Sequence, residues 1–269
     1  MRAWLLGIVL LLGGVVGSRV PAQAGGEKEA APAYREHEAR QSLPSGDPVT
    51  SVPILLYHRI AEDAGDPLKV PPAHFAEEMA FLKEEGYHSL SFRELEEAWN
   101  GGRPLPPKPV ILTFDDGYED NYSAAYPVLK QTGMRATIFA VTGSIGKPGR
   151  LTWDQLRRME ASGFVDTQSH TVTHPDLTKL TGEERLRELT SSREAILRRL
   201  GHPADVLAYP YGFYDRPTLR ASRQAGYRLA VTTEPGPASP EQGRLALHRI
   251  VITGDMSLDS FQAALQSRS

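Results

Sequence analysis

Two adjacent carboxylates, Asp115 and Asp116, have the type and position that hydrolytic chemistry needs. They follow an apolar run from residue 109 to residue 114 and precede Gly117. Neighbouring side chains in an extended strand point to opposite sides, so one carboxylate could ligate a metal ion while the other takes a proton. An Asp-Asp-Gly sequence is also an ordinary turn after a strand, and on its own it does not decide between turn and site.

Two histidines, His170 and His174, lie four residues apart just beyond another apolar run. On one helical turn this spacing puts both imidazoles on the same face, within reach of one ion. The chain has 8 histidines, so a solvated or capping pair is the competing explanation. One carboxylate and two imidazoles would give three ligands and leave positions open for water and substrate, as a hydrolytic zinc site requires.

Two further segments could contribute to the same site. Residues 208–212 read Ala-Tyr-Pro-Tyr-Gly, in which proline and glycine bend the backbone and can present an amide N–H to a ligand. A rigid turn packed by tyrosines explains them equally well. His248 is a lone histidine in the apolar run 247–250, where a hydrogen-bonded core histidine is the ordinary expectation.

The elements that must position these residues are strands alternating with amphipathic helices. Seven apolar runs have strand length: 52–57, 110–114, 136–141, 164–167, 206–209, 227–232 and 245–252. Helical patterns cover 75–85, 153–162 and 183–200. This alternation predicts parallel strands with crossover helices, either in an open doubly wound sheet or in a barrel.

A distorted (β/α)7-type barrel forming a single catalytic domain is the favoured α/β fold. No Gly-x-Gly-x-x-Gly follows the first strand, which removes the usual reason to expect a dinucleotide-binding sheet. The candidate site residues also fall at or near the predicted carboxyl ends of strands, where barrels of this class carry out their chemistry. We therefore expect one site to collect them.

The amino-terminal part predicts export. Arg2, the uncharged run 5–16 and the small residues around position 24 indicate a secretory signal peptide over residues 1–24. Residues 25–50 have the composition of a flexible linker, which leaves 51–269 for the catalytic domain. A secreted, periplasmic or cell-surface location follows. A retained membrane anchor is the alternative, although the apolar run is shorter than the ~20 residues a spanning helix needs.

The composition of the chain limits the classes of binding partner to expect. A net charge of −3 with a pI near 6.3 does not indicate nucleic acid or an anionic membrane surface as a partner. There is no cysteine, hence no disulfide and no lipoprotein anchor. We expect no stable membrane insertion after cleavage of the signal.

Taken together, the motifs resemble the polysaccharide deacetylases of carbohydrate esterase family four, the NodB homology domain. The resemblance runs from about residue 52 to residue 252 and rests on the motifs at 113–117 (Thr-Phe-Asp-Asp-Gly), 170–174 (His-Thr-Val-Thr-His), 208–211 (Ala-Tyr-Pro-Tyr) and 245–248 (Leu-Ala-Leu-His). The first two motifs are specific in combination, whereas the last two are weak alone. The resemblance implies a barrel with fewer than eight strands and removal of N-acetyl groups from N-acetylglucosamine residues.

The resemblance also implies a role for each matched residue. Asp115 would be the general base, and His248 the general acid. Asp116, His170 and His174 would hold a divalent ion, and the Tyr211 N–H would help to hold the oxyanion. Zinc suits these ligands best, although cobalt, nickel or iron would also be accepted.

Two departures from the family pattern bear on those roles. The arginine that usually opens the third motif, where it orients the catalytic aspartate, is Ala208 here. The acidic residue and tryptophan that usually support the acid histidine are not recognisable around residues 232–236. Residues 53–60 and 208–212 look like the subgroup that acts on exported poly-β-1,6-N-acetylglucosamine. His58 in the first of these segments either lies near the site or packs at a strand end.

Three alternatives stay open at this stage. A deacetylase of peptidoglycan or chitin oligosaccharides would use the same machinery in a different groove. A metal-dependent amidase acting on peptides or small amides would keep the mechanism and change the substrate. A catalytically silent carbohydrate-binding barrel would lack a ligand or base, and none of the expected groups is missing.

Overall fold

The computed structural model describes residues 51–62 and 65–266, and the described part contains ten strands. They are β1 (Ile54–Tyr57), β2 (Arg59–Ile60), β3 (Lys69–Val70), β4 (His88–Ser89), β5 (Pro109–Asp116), β6 (Ala136–Ala140), β7 (Val165–Ser169), β8 (Val206–Ala208), β9 (Leu229–Pro235) and β10 (Leu247–Val251). β2 and β3 pair only with each other, and β4 pairs with the first two residues of β5.

The other seven strands close into a parallel barrel. β1 pairs with β10 on one side and with β5 on the other, and the ring continues through β6, β7, β8 and β9. This closure excludes the open doubly wound sheet and confirms the seven-stranded barrel predicted from the sequence. Because all the strands run in the same direction, their carboxyl ends form one rim.

Seven helices accompany the strands in the described part. They are α1 (Pro72–Glu84), α2 (Phe92–Trp99), α3 (Tyr126–Thr132), α4 (Trp153–Ala161), α5 (Gly182–Leu200), α6 (Arg216–Ala225) and α7 (Leu258–Gln266). The three predicted helices correspond to α1, α4 and α5. Thr152 and Thr181 start α4 and α5 with capping boxes, in which the hydroxyl accepts from an N–H three residues on and the Gln or Glu there accepts in return.

Strand residues alternate between two hydrophobic layers, and this alternation fixes which side chains face the barrel interior. Leu55, Leu112, Ile138, Leu207 and Ala230 pack in clusters that include helix residues on the outside. Their strand neighbours form a second cluster inside the ring, comprising Ile54, Ile111, Phe139, Val206, Leu229 and Leu247, with residues of α2 packed against it. A side chain an even number of residues from one of these inner positions therefore also points inward.

The predicted signal peptide (1–24) and linker (25–50) lie outside the described residues, so both stay predictions. Within the part of the chain that is described, no helix combines the length and apolarity needed to cross a membrane.

Candidate active site

Three side chains from the carboxyl ends of β5 and β7, the strands on either side of β6, converge on one point. Asp116 ends β5, and His170 and His174 follow β7; one donor atom from each lies within 4.8 Å of the other two. The Nε2 atoms of both histidines are 3.7 Å from Asp116 Oδ1. Ligands about 2.0–2.2 Å from a tetrahedral zinc ion are themselves roughly 3.4 Å apart, so this donor set fits such an ion with little adjustment.

The ring of His170 is held so that Nε2 faces the cluster. Its Nδ1 lies 2.8 Å from the carbonyl oxygen of Ala208, and because a carbonyl only accepts, Nδ1 must carry the hydrogen. Nε2 is then left with its lone pair, which is the usual arrangement of a metal-binding histidine. Burial lowers the pKa of His170, although Asp115 and Asp116 oppose the change, so the ring favours the neutral form that can ligate.

The loop from His170 to His174 is not helical, so the predicted helical turn is wrong in conformation. Thr171 and His174 have φ angles of 65° and 61°, and these left-handed residues turn the chain so that the two rings meet with centroids 4.7 Å apart. The Thr171 hydroxyl accepts from the His174 N–H. Glu188 of α5 accepts from the N–H groups of Val172 and Thr173, so helix and loop are tied together.

Strained backbone is concentrated at this rim. Of the five non-glycine residues with positive φ in the described part of the chain, all but Lys108 lie here: Asp116, Thr171, His174 and Tyr211. Such conformations cost about 1–3 kcal/mol each and persist only where the surroundings impose them. Arg150 contributes to this at Asp116, because it donates to the Asp116 carbonyl oxygen at 3.0 Å.

Asp115 is buried and clamped by an arginine that the sequence motifs did not assign. The guanidinium of Arg249, on β10, donates to both carboxylate oxygens at 2.8 and 2.7 Å, and also to the hydroxyl of Thr113. Burial favours the protonated acid, but Arg249 and then His170 outweigh it and lower the pKa of Asp115 to about 2. The carboxylate is therefore ionised and fixed in orientation.

Arg249 orients Asp115, which is the role that the family pattern gives to an arginine at the position of Ala208. It reaches Asp115 from β10, whereas Ala208 on β8 contributes its backbone carbonyl to His170. A sequence signal for Arg249 existed, since a charged residue inside the apolar run 245–252 must find a buried partner. The family motif at 245–248 ends one residue before Arg249 and so does not include it.

The structure does not bring His248 to the metal-ligand cluster. Leu247 and Arg249 both face the barrel interior, so the side chain between them faces outward. Its Nε2 pairs with Glu234 at 2.9 Å. The acid role of His248 thus stays a prediction that its placement does not support, because Arg249 occupies the inward position beyond Leu247.

Tyr211 lies directly beside the cluster. Its ring stands edge-on to His174 with centroids 4.6 Å apart, and its side chain and that of Phe213 are both more than half exposed. Tyr211 has a φ of 59° within a tight turn, and Gly212 is required next because a Cβ there would overlap Thr233. The turn therefore holds the Tyr211 peptide at the rim, where its N–H role was predicted.

Comparison with known proteins identifies the family of this barrel. The family model for polysaccharide deacetylase matches residues 102–230. The protein YxkH of Bacillus subtilis (strain 168), named for the same family, is 36% identical over 241 residues, which are 90% of this chain and 85% of that protein. The chain belongs to the polysaccharide deacetylase family and is accordingly an amide hydrolase.

Solved structures and other relatives similar to this chain support the same family assignment. The Streptococcus pyogenes deacetylase PplD, solved with acetate, is 34% identical and superimposes with a TM-score of 0.78 over 82% of this chain and all of PplD. IcaB from Ammonifex degensii gives 26% identity and a TM-score of 0.72 over 81% of this chain and 98% of IcaB. The poly-β-1,6-N-acetyl-D-glucosamine N-deacetylase of Escherichia coli (strain K12) is 26% identical, and the match covers 77% of this chain but 37% of that enzyme.

Proposed function

We propose that this protein removes N-acetyl groups from N-acetylglucosamine residues of poly-β-1,6-N-acetylglucosamine in a metal-dependent hydrolysis. The single observation that carries the hydrolytic part is the convergence of Asp116, His170 and His174 beside a buried, ionised Asp115. An ion held there would face the barrel rim, where a chain-like substrate has access.

Asp116, His170 and His174 would hold the ion, and zinc is the proposed one because two imidazoles and a carboxylate suit it. Cobalt, nickel and iron are the other metals that this donor set accepts. When bound, such an ion would polarise the acetyl carbonyl and lower the pKa of water, so that a base could take its proton at neutral pH.

The remaining residues act on protons and charge. Asp115 lies beside the ligands, with Oδ2 3.8 Å from His170 Nε2, and takes the proton of the attacking water. Arg249 keeps that carboxylate aimed at the rim through two hydrogen bonds. The Tyr211 N–H donates to the oxygen on which negative charge develops, and a fixed donor of this kind needs no reorganisation during the reaction.

Two observations support a polysaccharide substrate of the β-1,6-linked type. Relatives of 26% and 25% identity, from Escherichia coli (strain K12) and Staphylococcus aureus (strain MRSA252), are named as deacetylases of that polymer. Tyr211 and Phe213 present exposed aromatic surface next to His174, and exposed apolar surface at a rim is suited to bind a sugar face. The acetate bound to PplD is also the acid that this reaction would release.

Export is part of the proposal and rests on the predicted signal peptide over residues 1–24. A secreted, periplasmic or cell-surface enzyme would meet an exported polysaccharide directly.

Acetate release by the purified protein tests class and substrate together. Oligomers of β-1,6-linked N-acetylglucosamine, β-1,4-linked chitin oligomers and peptidoglycan fragments are compared, each with added zinc and with a chelator. We expect zinc-dependent release that is fastest on the β-1,6-linked oligomers. Faster release from chitin or peptidoglycan would contradict the proposed substrate but not the proposed reaction.

If none of the three glycans released acetate, the proposed reaction itself would be contradicted. Binding of the oligomers without release would then identify a carbohydrate-binding barrel, and release of amine from simple amides would identify an amidase.

A further inference from the structure

Arg150, in the loop that joins β6 to α4, contacts the candidate metal ligand Asp116 at two points. Its Nη1 donates to the Asp116 carbonyl oxygen at 3.0 Å and lies 3.8 Å from the carboxylate oxygen Oδ2. The other carboxylate oxygen, Oδ1, is the one that lies 3.7 Å from the Nε2 atoms of His170 and His174. The two oxygens of Asp116 are therefore divided between the arginine on one side and the histidines on the other.

The backbone at Asp116 needs support, because it is left-handed. Asp116 has a φ of 75°, and Gly117 after it has a φ of 68°. Aspartate tolerates this conformation better than most residues, but it still costs free energy that the surroundings must offset. The Leu151 N–H donates to the Gly117 carbonyl oxygen at 2.9 Å, and Tyr118 pairs with Arg150 in an antiparallel bridge. The loop that carries Arg150 thus runs alongside the segment that begins at Asp116.

Two guanidinium groups lie over the ring of Tyr118, and they bond different partners. The Cζ atom of Arg150 is 3.9 Å from the ring centroid and that of Arg59 is 5.0 Å away, so both are within cation–π range. Arg59 donates through Nε to Asp120 at 2.8 Å, whereas Arg150 donates to Asp116. Because both arginines contact Tyr118, a substitution of Arg59 controls for loss of that contact alone.

We propose that Arg150 is a positioning residue of the candidate metal site, which holds the left-handed peptide of Asp116 and turns Oδ1 towards the two histidines. The inference rests on the proposed function, in which Asp116, His170 and His174 hold the ion. Residues that bond a ligand from outside the metal fix its orientation, and their loss typically weakens metal binding. The charge of Arg150 acts in the opposite direction, because a cation beside a ligand repels a divalent ion. The sign of the change on removing the arginine therefore distinguishes positioning from charge.

Competition between the metal-free protein and a chromophoric chelator measures both the Kd for zinc and the number of ions bound per chain. Arg150→Met removes the donor and the charge but keeps an unbranched side chain, and we expect its Kd to rise by about 10- to 100-fold. Arg150→Lys keeps the charge and one donor, so its Kd should fall between those of wild type and Arg150→Met. Because the titration gives Kd and stoichiometry separately, partial unfolding lowers the number of ions bound without imitating a change in Kd.

Arg59→Met is the matched variant, because it removes the other guanidinium from Tyr118 and leaves the contacts of Asp116 in place. We expect its Kd for zinc to stay within about threefold of the wild-type value. An unchanged or lower Kd in Arg150→Met would overturn the assignment. An equal rise in Arg59→Met would also overturn it, because the effect would then come from the packing of Tyr118.

The zinc titration is independent of the glycan assay. If the wild type binds zinc and Arg150→Met binds it more weakly, but no glycan releases acetate, the proposed reaction fails while the role of Arg150 stands. A wild-type protein that binds no zinc would contradict both.

Discussion

The described part of this barrel contains two clusters of carboxylates and histidines, one at each end, and they differ in whether a histidine nitrogen is available to bind a metal ion. At the carboxyl rim, Asp116, His170 and His174 place donor atoms within 4.8 Å of one another. Glu160, Asp166 and His202 meet the same distance criterion, but Asp166 lies at the start of β7 and His202 precedes β8, which is the amino end of the barrel.

The amino-end cluster is already satisfied by internal bonds. His202 Nε2 lies 3.1 and 3.2 Å from the two oxygens of Glu160, and that hydrogen bond raises the pKa of His202 to about 9 against the opposing effect of burial. Asp166 accepts from the Gln168 side chain, and Glu160 also accepts from the Thr167 N–H. At neutral pH His202 is therefore a cation in an ion pair and has no lone pair to offer.

At the carboxyl rim, in contrast, the hydrogen bonds around His170 leave one ring nitrogen free. The Nδ1–H of His170 is used on a backbone carbonyl, which leaves Nε2 as an acceptor, and burial keeps the ring neutral. The comparison shows that ligand spacing alone does not define a metal site. What distinguishes the two clusters is whether the hydrogen bonds around each histidine leave a lone pair free.

The largest effect is expected when a ligand is removed at the rim. His174→Ala should lose both the bound ion and acetate release, because two ligands and water hold zinc far more weakly than three. Elemental analysis of the purified protein and the glycan assay measure the two losses.

His202→Ala is the matched control for that variant. It removes a histidine of equal size from the other cluster, and it should keep one ion per chain and wild-type turnover. Loss of the ion in His202→Ala with retention in His174→Ala would reverse the comparison.

Asp115→Asn should separate catalysis from ion binding at the rim. The amide cannot take a proton from water, so turnover should fall by about 100- to 10,000-fold, while the three ligands are untouched and the ion stays bound. Turnover and metal content are measured on the same sample. Simultaneous loss of the ion would instead make Asp115 a ligand.

The Asp115–Arg249 ion pair at the rim and the Glu160–His202 pair at the amino end should differ in their effect on stability. Arg249→Met leaves Asp115 as a buried, unpaired charge, and we expect the free energy of unfolding to fall by about 3–5 kcal/mol. Urea denaturation measures this change. A loss below about 1 kcal/mol would show that Asp115 has another partner.

The smallest effect is expected from the amino-end pair and depends on pH. The pKa of His202 is raised in the folded state, so its stabilisation is complete below about pH 6.5 and is lost as pH rises towards 9. The difference in Tm between wild type and His202→Ala should therefore shrink over that interval. A difference that is constant from pH 6 to pH 9.5 would mean that the pair does not titrate as described.

Sequence reasoning recovered the barrel and the residues of the rim cluster because both follow from local patterns. Strand-length apolar runs specify β5 and β7; Asp116 is the last residue of β5, and His170 and His174 lie within the first five residues after β7. It did not recover the conformation of the loop that joins the histidines, because left-handed φ angles at Thr171 and His174 are imposed by tertiary contacts.

It also missed the partner of Asp115. The ion pair joins residues 115 and 249, which are far apart in the chain and meet only when β10 closes the ring beside β1. The same closure decides that Arg249 faces inward and His248 outward, an orientation that follows from the strand alternation and not from the histidine motif itself.

The most direct test of the rim site is a zinc titration of metal-free protein in which bound zinc and acetate release are followed together. We expect no acetate release without metal and a linear rise that ends at one ion per chain, in wild type and in His202→Ala alike. Full acetate release from the metal-free protein would contradict this role of the rim site. So would activity that appears only after a second ion binds, if His202→Ala no longer binds that second ion.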